Sequence, residues 1–192
     1  MATSSQSSVQ PDVLSDDEKC VLAAQRGDSA SFNRLVATYQ ELAYNVALRV
    51  VGDAEIAADV TQDAFISAFR HLDQFKGGSF KSWLLRIVTN RGYDALRARR
   101  RQDTASLDTL VDDSGFDVVD PGPVPEAISL RTELFGCVEE GLKTLPVDQR
   151  AVLVLYDVHG LSYEEVASVL STSLGTVKSR LSRALVDGQG FE

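Results

Sequence analysis

The sequence predicts an all-α chain of two small helical domains joined by a flexible acidic linker, and three observations carry that prediction. Apolar residues recur at helical spacing through most of the 192 residues, and no alternating run of useful length competes with it. The periodic stretches open on Ser or Asp residues placed as N-caps. Residues 102–125 break the pattern with six Asp, no Lys or Arg, and Pro121, Pro123 and Pro125, a composition with little capacity to fold alone.

Residues 1–14 are Ser- and Gln-rich without periodicity, as expected of a disordered tail. Ser15 followed by Asp16, Asp17 and Glu18 forms a capping box, opening a short helix to about Arg26. Asp28 is placed to cap the next helix, where Phe32, Leu35, Val36, Tyr39, Leu42, Ala43, Val46 and Ala47 keep helical spacing up to Val51. Gly52 stops it, and Asp53 caps a third helix reaching about Leu72 with Ile56, Val60, Ala64, Ala68 and Leu72 as its core stripe. After Gly77 and Gly78, Ser79 caps a fourth helix ending in Arg97, Arg99, Arg100 and Arg101. These four helices make a first domain over 15–101, the linker spans 102–125, and a second domain covers 126–192. In the second, helices are expected from Glu126 to Lys143, from Pro146 or Val147 to about Val158, and then as a close pair between 160 and 187. Pro146 suits a first helical position.

An apolar content of 44% supports real cores. No apolar run approaches the roughly 20 residues that span a bilayer, and the first residues lack a basic n-region and a hydrophobic h-region, so a cytoplasmic protein without membrane insertion is expected. Cys20 and Cys137 are isolated, which supports neither a zinc site nor a disulfide framework. His71 and His159 lack a nucleophile or metal-ligand partner at meaningful spacing, so each reads as a surface or helix-end residue. No catalytic residue, metal or cofactor is expected. The net charge of −9 divides into −2 for residues 1–27, +3 for 28–101, −7 for 102–130 and −3 for 131–192. Residues 70–101 alone hold nine basic and two acidic residues, and such a local field steers a polyanion more than the total does.

The stretch GLSYEEVASVLSTSLGTVKSRLSRALVD, residues 160–187, has the layout of a helix-turn-helix. Ser162 and Glu165 form a capping box, Val166, Ala167 and Leu170 give a narrow apolar face, Ser171 to Ser173 form the turn, and Ser173 is placed to cap the second helix. Val177, Leu181, Ala184 and Leu185 share the expected core face. Gly175, Thr176, Ser179, Ser182 and Arg183 lie opposite, flanked by Lys178 and Arg180. Residues at the start of such a helix reach base edges, and flanking cations meet phosphates. An amphipathic surface helix gives the same spacing, but Gly175 in the first turn costs about 1 kcal/mol relative to Ala and suggests close approach to another body.

The fourth helix carries a second surface. Phe80, Trp83, Leu84, Ile87 and Val88 point to the core, while Arg86, Thr89, Asn90, Tyr93 and Arg97 fall together on another face. Cations, an amide and an aromatic ring suit single-stranded DNA; a solvated basic face with Tyr93 half-buried is the alternative. Asp94 is expected to pair with an Arg at the core edge. The preceding loop, Asp73 to Gly78, can close over an extruded base or serve as an ordinary connector. On the third helix Glu55, Asp59, Gln62, Asp63, Ile66 and Arg70 gather on one side. An apolar anchor ringed by charge is the anatomy of a helix docking site, although a lone exposed Ile is common.

Together these residues resemble bacterial RNA polymerase sigma factors of the extracytoplasmic-function class. The resemblance lies in GDSASFNRLVATY (27–39), AADVTQDAFISAFRHLDQF (57–75), SFKSWLLRIVTNRGYDALRARRR (79–101), LPVDQRAVLVLYDVHGLSYEEVASVL (145–170) and GTVKSRLSRAL (175–185). It implies a region 2 domain over 15–101 and a region 4 helix-turn-helix domain over 126–192. Core polymerase would dock on Asp59, Gln62, Asp63, Ile66 and Arg70. The minus-ten element would be melted and read by Phe75, Lys76, Arg86, Thr89, Asn90, Tyr93, Arg97 and Arg100, and the minus-thirty-five duplex by Thr176, Lys178, Ser179, Arg180, Ser182 and Arg183. The resemblance further implies an anti-sigma partner, and a linker whose aspartates mimic phosphate within the polymerase. Two departures stand out: Leu174 occupies a position where the family commonly has Pro, and VDGQGFE replaces a continuing basic helix. The competing reading is an autonomous helix-turn-helix regulator, normally dimeric on paired half-sites. It leaves the third helix and the Trp83 helix unexplained, and no dimerisation helix is evident.

Overall fold

The structure is a computed structural model that describes residues 14–106 and 141–188. The expected tail up to Val13, most of the acidic linker, Cys137 and the helix expected from Glu126, apart from its end at 141–144, lie outside the described residues. Among those described, every regular element is helical.

Helix α1 (Asp16–Gln25) starts on the Ser15 capping box, where the Glu18 N–H donates to Ser15 Oγ at 3.2 Å and the Ser15 N–H to Glu18 Oε2 at 2.7 Å. Helix α2 (Ser29–Val51) is capped by Asp28 and ends at Gly52, whose φ of 75° is left-handed and whose N–H donates to Leu48 O at 2.7 Å. Helix α3 (Ala54–Arg70) opens on Asp53, which accepts from the Glu55 and Ile56 N–H groups at 3.0 Å. It stops at Arg70 rather than Leu72; Leu72 begins a 3-10 turn, Leu72–Gln74, and is still buried. Gln25 fixes that turn onto α1, its Nε2 donating to Leu72 O at 2.8 Å and Phe75 O at 3.0 Å.

Ser79 Oγ accepts from the Ser82 N–H at 3.1 Å at the start of α4 (Phe80–Ser106). The helix passes Arg101 because the change in charge at residue 102 is no helix stop; neither Gly nor Pro occurs from there to Ser106. The first core gathers Leu35, Val46, Val50, Leu84, Leu85 and Val88 between α2, α3 and α4. Gly92 lets α4 approach α2 closely: a Cβ there would lie 3.4 Å from Cγ1 of both Val50 and Val51.

In the C-terminal domain, α5 (Val147–Leu153) continues through a π-helical turn, Val154–Val158, and is followed by α6 (Tyr163–Val169) and α7 (Leu174–Gly188). Val152, Leu155, Val166, Val169, Val177 and Leu181 are buried together. Leu185, expected in this core, is 53% exposed. At about 100° per residue it sits at the edge of the stripe set by Val177, Leu181 and Ala184, in the last turns of the helix. The two domains touch: α6 packs against α4, and α5 against α2.

Candidate nucleic-acid interface

The outward side of α4 presents Arg86, Asn90, Arg97 and Arg100, with Lys76 exposed on the preceding loop. Arg97 is held along its own helix, Nε donating to Tyr93 O at 3.3 Å and Nη2 pairing with Asp94 at 3.3 Å. Tyr93 is half-buried and its hydroxyl has no hydrogen-bond partner among the described residues; burial pushes its titration up to about 12. Two residues expected on this face are interior instead. Thr89 is 1% exposed and its hydroxyl donates to Leu85 O at 2.9 Å, because residue 89 lies one turn from Leu85 on the core side. Phe75 is buried in an aromatic cluster, its ring centroid 5.4 Å from Trp83 and 6.1 Å from Phe80.

Trp83, expected in the core, is half-buried at the edge of that cluster. It lines a cavity of about 440 Å³ with Lys76, Gly77, Gly78 and Arg86, across from Glu164 and Ser168 of α6. Its apolar spacing concealed this outward role. Arg99 is drawn away from the face, pairing with Asp53 at 3.0 Å. The Asp53 carboxyl is held below the usual carboxylate range, first by the Ile56 N–H and then by Arg99.

In the helix-turn-helix, the capping box is formed, with the Glu165 N–H donating to Ser162 Oγ at 3.2 Å and the Ser162 N–H to Glu165 Oε2 at 2.8 Å. Ser171 takes the left-handed conformation, φ 52°, at the turn. Ser173 Oγ accepts the Thr176 N–H at 3.1 Å and also lies 2.9 Å from the Thr176 hydroxyl. Lys178, Ser179, Ser182 and Arg183 are exposed together along α7, and Thr176 is half-buried at their head. Arg180 turns the other way, Nε pairing with Asp148 at 3.0 Å. The nearest atom to a Cβ built on Gly175 would be Ser173 Oγ at 3.8 Å. Among the described residues no atom therefore demands glycine there, and they leave the space in front open to another body. Lys178 Nζ stands 5.8 Å from the Tyr163 ring centroid, and Tyr163 stacks on Tyr156 with centroids 4.7 Å apart, an aromatic support absent from the sequence reading.

The α3 residues Asp59, Gln62, Asp63, Ile66 and Arg70 are all exposed, but the first four divide between two grooves and Arg70 lines neither. Asp59 and Asp63 face α4 in a groove that also holds Arg91, Asp94 and Arg99. Gln62 and Ile66 line a groove of about 630 Å³ against α2 with Val36, Glu41, Tyr44 and Phe65. Ile66 is 40% and Phe69 53% exposed, the Phe69 ring standing edge-on to Phe32 at 5.0 Å. The contribution of α2 was hidden because Val36 satisfied the core spacing of its helix. Among the described residues no His, Cys, Asp and Glu group is arranged to hold a metal. His159, expected as a surface or helix-end residue, closes the π-helical turn after α5 with a half-buried ring whose Nε2 has no partner among the described residues. Burial, with Arg49 and Lys81 nearby, pushes its titration down to about 4.

Residues 35–102 match the Sigma-70 region 2 family and residues 135–187 the Sigma-70, region 4 family. The chain is 40% identical to the RNA polymerase sigma-H factor of Pseudomonas aeruginosa over 173 residues, covering 88% of this chain and 89% of that protein. It is 36% identical to the ECF RNA polymerase sigma-E factor of Escherichia coli over 172 residues, covering 88% and 90%. The chain belongs to the extracytoplasmic-function class of RNA polymerase sigma factors. Two solved structures share the fold of this sigma factor. CnrH in complex with the cytosolic domain of CnrY superposes with a TM-score of 0.66 at 28% identity, covering 92% of this chain and 96% of that one. The sigma factor RpoE in complex with the anti-sigma factor NepR from Bartonella quintana gives 0.65 at 26%, covering 83% and 94%. This sigma factor is a transcription initiation factor that binds core RNA polymerase and directs it to promoters. No helix among the described residues is long and apolar enough to cross a membrane.

Proposed function

We propose that this sigma factor divides its task among three surfaces. The domain at 15–101 docks on core polymerase through α3, with Gln62 and Ile66 in the apolar groove against α2 and Asp59, Asp63 and Arg70 supplying the charged rim. The same domain melts and reads the minus-ten element with Lys76, Arg86, Asn90, Arg97 and Arg100; Tyr93 and Trp83 provide rings for bases, while Phe75 and Thr89 hold the face from within. The domain at 126–192 reads the minus-thirty-five duplex through Lys178, Ser179, Ser182 and Arg183, with Thr176 at the helix start, while Arg180 is held by Asp148 and braces α7 against α5. The linker at 102–125 lies in the polymerase channels. The protein works in the cytoplasm without catalysis of its own and is held inactive by an anti-sigma protein, a reading supported by the similar structure of RpoE solved with the anti-sigma factor NepR.

The observation that carries this reading is the exposure of two separate cationic faces, on α4 and α7, each backed by its own core. An autonomous regulator needs the second face alone. Reconstitution with core RNA polymerase on a genomic promoter library tests it. The complex is expected to initiate at a defined set of sites, and failure to bind core or to initiate anywhere overturns the proposal.

A further inference from the structure

Helix α1 lies outside the stretch that matches region 2, which begins at residue 35, yet it holds the root of the loop that carries Lys76. Gln25, the last residue of α1, spreads its side-chain amide across that root: Nε2 donates to Leu72 O at 2.8 Å and to Phe75 O at 3.0 Å. These two carbonyls bracket the 3-10 turn, and at Phe75 the backbone passes into an extended conformation, φ −73° and ψ 109°. The amide nitrogen of Gln carries two N–H donors, so a single side chain fixes both the entrance and the exit of the turn.

The helix that supplies this amide is itself held firmly. Cys20, Val21 and Ala24 bury α1 in the first core, and the Tyr39 hydroxyl donates to the Asp17 carboxylate. The N–H groups of Arg26 and Asp28 donate to Ala23 O at 3.1 Å and that of Gly27 to Ala24 O at 2.9 Å, which closes the helix directly after Gln25. The tip of the loop is the opposite case. Lys76, Gly77, Gly78 and Ser79 are exposed, Gly77 and Gly78 take left-handed φ angles of 106° and 89°, and a Cβ on either glycine would meet nothing within 4 Å. Packing at the two glycines therefore does not set the course of the tip. Its direction is set at the root, by the buried side chains of Leu72 and Phe75 and by Gln25, which orients their carbonyls. The tip forms one wall of the cavity that holds Trp83 and Arg86.

We propose that Gln25 is a positioning residue for minus-ten recognition: by holding the carbonyls of Leu72 and Phe75 it aims the tip at 76–79 across Trp83 and Arg86, so that a strand meets Lys76 and the Trp83 ring in one arrangement. The inference rests on the assignment of this loop and α4 to the minus-ten strand. Without the amide the turn keeps its buried side chains, but the tip samples several directions and the strand must select the competent one. Apparent affinity then falls by the competent fraction, and the loss of two neutral hydrogen bonds that water partly replaces makes that fraction roughly a fifth to a tenth. Gln25 is exposed, so its replacement opens no cavity in the core.

The test uses the full chain assembled with core RNA polymerase, on a promoter selected from the genomic library by the parent and on versions with every base substitution across the minus-ten element. Gln25→Met keeps the length of the side chain and loses both donors. Gln25→Lys loses the amide but keeps a donor, at a helix end that favours a cation. Opening is read by permanganate reactivity of the melted thymines, assembly by competition for core polymerase, and folding by urea titration. Gln25→Met is expected to assemble as the parent does, to open the promoter roughly five- to tenfold less, and to lose base discrimination at the minus-ten position beside the tip while keeping it elsewhere. Gln25→Lys is expected to restore most of both. A weakened fold lowers opening on all templates alike and leaves the ratios between templates unchanged, so discrimination separates positioning from mere support. Discrimination equal to the parent's in Gln25→Met, or a loss spread evenly over all positions, overturns the proposal, and a Gln25→Lys as impaired as Gln25→Met overturns the donor as its cause. The double variant Lys76→Ala, Arg86→Ala tests the assignment beneath it. If that variant keeps the parent's discrimination at every position, the assignment of the loop and α4 falls; if it loses discrimination and Gln25→Met does not, only the role of Gln25 falls.

Discussion

Replacing Ile66 tests the α3 docking surface with a magnitude that the structure supplies. Burying a whole Ile side chain is worth about 1.5–3 kcal/mol. Ile66 keeps 40% of its exposure in the folded chain, so a partner can still gain about 0.6–1.2 kcal/mol by covering it, or roughly three- to eightfold in affinity. Ile66→Ala should weaken core polymerase binding by about that factor. Ile66→Glu adds a carboxylate that must be desolvated in a groove already holding Glu41, a penalty of several kcal/mol that corresponds to a loss greater than about a hundredfold. The 60% of the side chain already covered when 40% is exposed makes each change cost about 0.9–1.8 kcal/mol of folding stability as well. Competition against a fluorescent sigma factor for core polymerase, with urea titrations as the control for folding, measures both quantities. If Ile66→Glu binds within about threefold of the parent, the groove between α2 and α3 is not a docking site. Equal losses for Ala and Glu would refute the division into apolar and desolvation terms.

Two further predictions concern pH and the duplex face. The depressed titration of His159 means that the unfolded chain takes up the extra proton between about pH 6.5 and 4, so this group's contribution to stability is complete above that window and lost as pH falls through it. His159→Gln should flatten the fall by about 1–2 kcal/mol, roughly half the full linkage value because the ring is only half-buried; parallel stability curves for the two proteins would refute the assignment. Arg183→Ala should lower duplex affinity and reduce its salt slope by about one while sparing single-strand binding. Arg180→Ala should instead cost up to about 1 kcal/mol of stability through the lost Asp148 pair, and a larger duplex defect for Arg180 than for Arg183 in a gel-shift titration would reverse their roles.

Helix starts, and the stop at Gly52, were legible because they are local, whereas the ends of α3 and α4 were misplaced by two and five residues. Ser15 with Glu18, Asp28, Asp53, Ser79, Ser162 and Ser173 meet donors two or three residues away, and Gly52 needs its own left-handed φ. Face assignment was less secure at the margins of each stripe. Thr89, one turn beyond Leu85, went inside, while Leu185 at the edge of the Val177 stripe stayed outside. Such positions are decided by where the neighbouring helix lies, which spacing alone does not specify. Arg180 illustrates the same limit: its flank position was correctly read as cationic, but a partner in α5 took the charge. The hydrogen bond from Arg150 to Val50 O between the domains was beyond reach, because the two residues are 100 apart and the acceptor is a backbone carbonyl that carries no side-chain signature.

The distribution of charge explains how a chain of net charge −9 handles a polyanion. At physiological ionic strength exposed charges farther apart than about 8 Å are largely screened, so a polyanion on the basic face of α4 would sense the charges beside it rather than the total. The acidic groups that matter are those brought within that distance. Asp94 and Asp53 are of that kind, pairing with Arg97 at 3.3 Å and with Arg99 at 3.0 Å, and Asp148 pairs with Arg180 at 3.0 Å. Salt therefore weakens both the intramolecular neutralisation and its replacement by phosphate. Exchange of a carboxylate for a phosphate releases fewer counterions than binding to a bare cation, so an intramolecular acidic partner lowers the salt slope of binding at that position without abolishing it. The acidic charge that looks adverse in the sum is thus compatible with two local cationic faces.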